Sequence, residues 1–268
     1  MFNLGFHGSH NATLAISYKE TVLEAVEVER FISHKNAALF YYENPSCAID
    51  IIREINNYFI KKYDVDEYEN IIINSVDQTI FNFDDVFKYN NLKHMGHHEA
   101  HCYSSLYQSP YDEALVVSFD GGSDQKFFNV FYVKKDFPAK RIYSGKKDYA
   151  ISYMTPAHFI KDIKREDNIY NGNLVYPGKL FEKLFYEEVF DKTFISDLYG
   201  HLPLILTGGC ALNIIHNTNI AKDREVYVSP NPSDVGLAVG MLCGCIKPTE
   251  IVDTTYIGPP VWDRSELS

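Results

Sequence analysis

The sequence predicts an α/β fold made of two similar halves that face each other across a cleft. A pattern of three short strands opens the chain and recurs near residue 114, and strands and helices then alternate in each half. Two of the predicted strands also run into glycine pairs, Gly121-Gly122 and Gly208-Gly209. Turns of that kind, at the ends of strands, are where α/β folds present ligands.

The first half contains six predicted elements. In chain order they are strands at residues 2–7, 12–17 and 21–29, a helix over 45–59, a strand over 70–75, and a helix that carries His97 and His101. The helix over 45–59 is predicted because Ile51, Ile52 and Ile55 recur at helical spacing.

The second half repeats this order. Its predicted elements are strands at 114–120, 127–134 and 139–144, a helical region, a strand over 202–209, a second helix, a strand over 225–230 and a closing helix rich in small residues. A three-strand meander followed by alternating helices and strands is the outline of an RNase H-like unit. Two such units make the actin-like ATPase (ASKHA) fold. We therefore expect a first half over 1–112, a second half over 113–250 and a C-terminal tail over 251–268.

Composition excludes several classes of protein. The amino terminus lacks the basic start and apolar run of a signal peptide, and no stretch approaches the roughly 20 apolar residues of a membrane helix. The five cysteines form no CxxC pair, so we expect reduced thiols in a cytoplasmic protein. The net charge of −11 disfavours general nucleic-acid binding.

One stretch is basic despite the acidic total. Between Lys134 and Arg165, lysines and arginines outnumber aspartates, and the stretch has a net charge of +6. Such a run is most often a solvated loop. The alternative is a seat for an anionic substrate, including a nucleic acid.

Two histidines one helical turn apart indicate a metal site. His97 and His101 share one face of their predicted helix and can bind a single cation there. Asp120 follows a buried strand and brings a carboxylate toward the same cleft. The metalloprotease motif HExxH is excluded, because the second ligand position after His98-Glu99 is Cys102. A metal-centred site is the leading hypothesis, and structural histidines are the alternative.

A second group of residues lies near the carboxyl end of the chain. Gly208 and Gly209 separate a strand from a helix, where backbone amides can approach a nucleotide, although many strand-to-helix turns use such a pair. Asp234 precedes the closing helix and, by itself, is typical of an N-cap.

Five blocks of sequence carry a family resemblance. They are GSHNATLAI (8–16), VERFISHKN (28–36), HHEAHCYSSLYQSPYDEALVVSFDGG (97–122), LTGGCALNIIHN (206–217) and VSPNPSDVGLAVG (228–240). In this order they resemble the O-carbamoyltransferases of the nodulation and antibiotic-tailoring type. That family is related to the hydrogenase-maturation carbamoyltransferase and to the tRNA threonylcarbamoyl transferase.

The resemblance implies roles for particular residues. A divalent metal, with Fe²⁺ favoured and Zn²⁺ or Mn²⁺ as alternatives, would be held by His97, His101, Asp120 and Asp234. Nucleotide contacts would fall on Gly121, Gly122, Gly208, Gly209 and Asn213, and His10 and Lys35 would line the cleft as catalytic candidates. His98 is the candidate base for the acceptor's proton, with a hydrogen-bonding or structural role as the alternative.

The implied activity is carbamoyl transfer. Carbamoyl phosphate and ATP would give carbamoyladenylate, from which the carbamoyl group passes to a hydroxyl. Family members carry a second, carbamoyladenylate-forming domain that we expect to be absent here, so a separate protein or another donor would supply the group. Residues 152–199 look shortened and match the family's glycine-lysine segment only at 178–180. The acceptor therefore stays open between a small molecule and a hydroxymethylated nucleobase in a nucleotide or DNA.

Two other functions compete with this one. A tRNA threonylcarbamoyl transferase-like enzyme shares the fold and the metal site, but residues 102–105 do not resemble its signature. A non-catalytic, actin-like nucleotide-binding subunit would not need the complete set of four metal ligands.

Overall fold

Two mixed β-sheets form the frame of the protein. The computed structural model describes residues 1–32, 38–39, 45–74, 82–123, 126–145, 199–222 and 224–252. The first sheet contains β1 (Phe2–His7), β2 (Thr13–Tyr18), β3 (Thr21–Glu27), β4 (Tyr68–Asn74), β5 (Tyr89–Met95) and β11 (Glu250–Ile251). The second contains β6 (Glu113–Ser123), β7 (Lys126–Lys134), β8 (Lys140–Gly145), β9 (Leu204–Thr207) and β10 (Val226–Val228). The helices are α1 (Val28–Ile32), α2 (Pro45–Tyr63), α3 (His97–Tyr107), α4 (Ile214–Ile220) and α5 (Leu237–Ile246).

The two sheets have the same topology. Their strand orders are β11-β3-β2-β1-β4-β5 and β8-β7-β6-β9-β10. In each sheet the first three strands of the unit are antiparallel neighbours, and the fourth and fifth run parallel to the first. This is the duplicated RNase H-like unit that the sequence predicts, so the expected fold class is confirmed.

The repeat extends to short sequences at the centre of each sheet. GFHG (5–8) ends β1, and SFDG (118–121) lies near the end of β6. Both are in the central strand of their unit and point toward the same edge of the molecule. His7 and Asp120 therefore occupy equivalent positions in the two units.

The closing helix of each unit packs on the other unit's sheet. α3 follows β5 but buries Cys102 and Leu106 against the second sheet. α5 follows β10 but packs on β1 and β2 of the first sheet. The two helices also pack against each other, so closely that a Cβ at Gly240 would lie 1.9 Å from the carbonyl oxygen of Ala100. α2 covers the other face of the first sheet.

Several boundaries differ from the sequence-based expectations. The strand predicted over 21–29 ends at Glu27 and continues as α1, and the helix predicted over 45–59 extends to Tyr63. β5 was not predicted, because YNNLKHM is mostly polar, as suits an exposed edge strand. The helical region predicted between 145 and 202 lies almost entirely outside the described residues.

After β10 the chain returns to the first sheet as α5 and β11. Residues 237–250 were assigned to the second half, yet β11 pairs with β3 and α5 covers the first sheet. The sequence LAVGMLCGCI is apolar on nearly every face, and such a helix is stable only between two layers. α5 therefore lies between the first sheet and α3.

Two further observations concern the described helices and the cysteines. Within the described residues, no helix has the length and apolar character needed to cross a membrane. All five cysteines are free thiols, as predicted.

Candidate metal centre

Four side chains from both units converge at the carboxyl ends of the strands. His97, His101, Asp120 and Asp234 place their ligand atoms within 4.8 Å of one another. The Nε2 atoms of the two histidines are 3.1 Å apart. Asp120 Oδ2 lies 3.1 Å from His101 Nε2 and 3.5 Å from His97 Nε2. Asp234 Oδ1 lies 3.4 Å from each of these nitrogens.

Local structure explains how each ligand reaches this point. His97 and His101 occupy the first turn and a half of α3 and share a face. The pairing of β6 with β7 breaks between Phe119 and Ser123, which releases Asp120 from the regular ladder. Asp234 opens a 3-10 turn whose N-cap is Ser233, and it makes no cap for α5, whose N-cap is Gly236. The N-cap interpretation of Asp234 is therefore wrong.

The cluster has the spacing and chemistry of a divalent-cation site. At metal–ligand distances of about 2.0–2.2 Å, neighbouring ligand atoms of a tetrahedral or octahedral ion are about 3 to 3.5 Å apart. The distance between the two histidines and the histidine–carboxylate distances given above, 3.1 to 3.5 Å, fall in that range. Two neutral imidazoles and two carboxylates also balance a divalent charge. Asp234 Oδ1 is buried and accepts no hydrogen bond among the described residues, and its nearest neighbours are the two Nε2 atoms at 3.4 Å. A divalent cation between them would satisfy this oxygen.

Without a cation, a proton on His101 stabilises the two carboxylates beside it. Burial alone would lower the pKa of His101, but the carboxylates of Asp120 and Asp234 outweigh it and raise that pKa to about 9. Burial would raise the pKa of Asp120, but His101 and His97 hold it well below its usual range. The site therefore favours positive charge at its centre, whether from a proton or from a metal ion.

The glycine turn after β9 is built into the same cluster. The Gly209 amide donates to Asp120 Oδ2 at 3.2 Å, and the Gly208 amide donates to Pro232 O at 2.7 Å. Gly208 has a φ of 90°, and a Cβ there would lie 2.3 Å from Phe119 O. Asn213 ends the following 3-10 turn. Both glycine amides thus donate within the protein, and their predicted nucleotide contacts stay a prediction based on resemblance.

The other predicted residues lie in different settings. His98 is buried, and its Nδ1 is 2.8 Å from Ser118 Oγ, which favours the hydrogen-bonding role left open by the sequence. His10 is exposed in the turn after β1, at the same edge of the first sheet as the cluster. Gly121 and Gly122 are in β6 directly after Asp120. Lys35 lies outside the described residues.

Sequence reasoning missed two residues at this site. His7 is buried, and its Nε2 lies 3.8 Å from Asp234 Oδ2. Burial lowers the pKa of His7 to about 4, although Asp234 opposes that shift. The side-chain amide of Asn74, at the end of β4, lies 3.4 Å from His97 Nδ1. The internal repeat of GFHG and SFDG was the signal that could have identified His7; no local motif points to Asn74.

The described part of the basic stretch is far from the cluster. Lys134 pairs with Glu113, at 3.7 Å, and Lys135 pairs with Asp112, at 3.2 Å. Glu113 begins β6, and Asp120 is seven residues further along, so about 23 Å of strand separates the two ends. Residues 146–165, the rest of the basic stretch, lie outside the described residues.

Comparison with known proteins agrees with the fold and adds a family match. Residues 176–243 match the family model described as carbamoyltransferase N-terminus. That segment includes Gly208, Gly209, Asn213 and Asp234, whereas His97, His101 and Asp120 precede it. An uncharacterized protein of Methanocaldococcus jannaschii, MJ1051, is 23% identical over 322 residues, which cover 95% of this chain and 60% of that protein.

Two solved structures have the same fold at low sequence identity. Full-length HypF, in a phosphate- and nucleotide-bound form, has a TM-score of 0.58 and 13% identity, over 92% of this chain and 55% of HypF. ROK hexokinase from Thermus thermophilus has a TM-score of 0.57 and 9% identity, over 90% and 98% of the two chains. The chain thus spans little more than half of HypF and about 60% of its curated relative. The predicted resemblance is confirmed: residues 176–243 match the N-terminal domain of carbamoyltransferases, in a chain that has the actin-like ATPase fold.

Proposed function

We propose that this chain is a metal-dependent O-carbamoyltransferase. The observation that carries the proposal is the convergence of four buried or half-buried ligand side chains from both units at one cleft edge. The match of residues 176–243 to a carbamoyltransferase family supports the reaction class. An actin-like scaffold would gain nothing from these four ligands, and burying two carboxylates without a cation has a large desolvation cost.

The proposed reaction is an acyl transfer. The acceptor oxygen attacks the carbamoyl carbon, the bond from that carbon to the donor's phosphate oxygen breaks, and the acceptor proton passes to a base. The donor is carbamoyladenylate, formed from carbamoyl phosphate and ATP, so the leaving group is AMP. A divalent ion held by the four residues, with Fe²⁺ favoured, would supply positive charge for the donor's carbonyl or phosphate oxygens.

The protein's own residues fix the geometry of this cleft. The Gly209 amide donates a hydrogen bond to Asp120 Oδ2, so the glycine turn helps to orient this carboxylate. Asn74 Nδ2 lies 3.4 Å from His97 Nδ1. Binding of a cation at His97 Nε2 requires the proton on Nδ1, and the opposite orientation of the Asn74 carboxamide, with Oδ1 toward Nδ1, would accept that proton. His10 is exposed beside the cluster and is a candidate to meet the acceptor, and His98 is the alternative base from within α3.

The acceptor is proposed only as a hydroxyl compound. In the described part of the basic stretch, Lys134 and Lys135 pair with acidic residues, and Lys140 lies at the same end of the sheet, away from the cluster. An anionic acceptor, such as a hydroxymethylated nucleobase in a nucleotide or DNA, therefore depends on residues 146–165. Salt-dependent binding of DNA to the full chain would support that acceptor class.

The first experiment is the metal content of the purified chain, with His101→Ala and Asp234→Ala beside the wild type. We expect about one divalent ion per wild-type chain and its loss from both variants, because each removes a ligand from a different unit. His201→Ala is the matched control: this histidine is exposed and precedes β9 at the end opposite the cluster. It should keep its metal.

Carbamoyl transfer is then assayed with the metal-loaded chain, a panel of hydroxyl acceptors and carbamoyladenylate, which a separate carbamoyladenylate-forming domain generates in the same mixture from radiolabelled carbamoyl phosphate and ATP. Activity in the wild type and His201→Ala, with none in His101→Ala, would support the proposal. A wild-type chain that takes up no metal after reloading would contradict it. Stoichiometric metal and ATP binding with no transfer to any acceptor would favour the nucleotide-binding subunit.

A further inference from the structure

We propose that His7 is a positioning residue of the metal centre. Its imidazole orients the Asp234 carboxylate so that one oxygen faces His97 and His101. This inference rests on the proposed function in one respect only: it requires that the four ligands bind a divalent ion. It assigns a role to a residue outside the four-ligand set.

The two oxygens of Asp234 face different sides of the cluster. Oδ1 lies 3.4 Å from the Nε2 atoms of both His97 and His101, and Oδ2 lies 3.8 Å from His7 Nε2. His7 is 1% exposed at the end of β1, and its ring centroid is 6.1 Å from that of His97. His7 therefore faces a different oxygen of the Asp234 carboxylate from the one that faces the other two histidines.

The hydrogen bond of His7 fixes its tautomer. His7 Nε2 is 3.1 Å from the carbonyl oxygen of His10, and a carbonyl can only accept. Nε2 therefore carries the proton and has no lone pair for a metal, so His7 is not a fifth ligand through this atom. Its N–H dipole instead presents its positive end near Asp234 Oδ2. At 3.8 Å the attraction is electrostatic rather than a hydrogen bond.

The internal repeat explains why a histidine suits this position. Asp120 occupies the equivalent place in the second unit and points a carboxylate into the cluster. A carboxylate at residue 7 would add a third negative group and repel Asp234. An imidazole N–H attracts Asp234 and keeps its carboxylate oriented. Side chains that contact the metal ligands, rather than the metal itself, commonly have this role.

The test uses two substitutions that differ in where they place an amide. In His7→Gln the side-chain nitrogen reaches the position of the imidazole Nε2, whereas in His7→Asn it reaches only the position of Nδ1. Affinity for Co²⁺ is measured by competition with a chelator, and the visible spectrum of the Co²⁺ protein reports its coordination. We expect His7→Asn to bind about 10- to 100-fold more weakly than wild type, and His7→Gln to bind within about threefold of it.

Controls separate this role from folding and from the proposed function. His201→Ala should bind Co²⁺ like the wild type, and circular dichroism and thermal unfolding of the metal-free variants establish that they fold. Equal affinity in all four proteins would overturn the role of His7. So would equal losses in His7→Gln and His7→Asn, because the effect would then not depend on an N–H at the Nε2 position. A wild-type chain that binds no Co²⁺ would instead overturn the proposed function, and this inference with it.

Discussion

The ends of β1 and β6 occupy equivalent positions in two units of the same topology, and they supply different chemistry. β6 carries Asp120 near its end, 3.1 Å from His101 Nε2. β1 ends in His7, which lies behind Asp234 and contacts the His10 carbonyl. The difference shows how a duplicated frame becomes an asymmetric site. The backbone brings both strand ends to one place, and the residue at each end decides whether a carboxylate or an imidazole faces the cluster.

The segments after the fifth strand of each unit show the same asymmetry. After β5 the chain enters α3 at once, and two histidines share its first turns. After β10 it first makes the turn that carries Asp234 and only then enters α5. One unit thus contributes two ligands from a helix face, and the other contributes one from the turn before its helix.

The largest effect should come from removing Asp120, the carboxylate that β6 of the second unit contributes to the cluster. Asp120→Ala leaves two buried imidazoles and one carboxylate, so we expect metal affinity to fall by more than about 100-fold, measured by chelator competition. Asp112→Ala, an exposed aspartate just before the same strand, is the control and should bind like the wild type. Retention of stoichiometric, tight metal by Asp120→Ala would show that the second unit's strand end is not part of the site.

The next effect comes from forcing the two closing helices apart. Gly240→Ala places a Cβ 1.9 Å from the Ala100 carbonyl oxygen, in backbone that cannot give way cheaply. We expect a loss of more than about 3 kcal/mol in the free energy of unfolding, together with weaker metal binding, both followed by urea titration with and without metal. Cys245→Ala, further along α5 and half-buried, should cost less than about 1 kcal/mol. A Gly240→Ala protein as stable as wild type would mean that the helix contact does not constrain the site.

The third effect concerns the proton on His101, a residue of the first unit, which lies beside the Asp120 and Asp234 carboxylates of the second unit. In the metal-free chain the pKa of His101 is about 9, above its usual 6.5, so the folded state binds this proton more tightly than the unfolded state. Its contribution is complete below pH 6.5 and is lost as the pH rises to about 9. We expect the metal-free protein to lose at most about 3 kcal/mol across that range, measured by urea unfolding in a chelator.

Two comparisons check the origin of this slope. Metal-saturated protein should not show it, because the cation replaces the proton, and His101→Asn should remove it in the metal-free protein. Unfolding free energies that stay flat between pH 6.5 and 9 in the metal-free wild type would contradict the assignment.

Much of the fold and of the ligand set was predictable from sequence. Apolar patterns predicted every described strand except β5 and β11, in the correct order, which was enough to identify a duplicated α/β frame. The i, i+4 spacing predicted that His97 and His101 share a face. Asp120 was predictable because a buried strand runs into it. Asp234 was not predictable from spacing: only the family resemblance separated it from an N-cap, and the turn geometry shows why.

Other features depend on contacts that local patterns do not contain. The apolar sequence of α5 predicts burial but not which sheet covers it, so its return to the first sheet was missed. β5 is polar because it lies at an edge, and its partner β4 is what makes it a strand. His7 acquires its role through Asp234, more than 200 residues away in the chain.

The exchange of closing helices has a consequence for how this protein folds. α5 packs on β1 and completes the core on that face of the first sheet. This face is formed by the first residues of the chain, but it is covered only when residues near 238 have been synthesised and have packed on it. Contacts of such high sequence separation slow folding and leave apolar surface exposed during synthesis. Neither repeat can form its full core alone, and we expect the pair to unfold in one cooperative transition rather than as two independent domains.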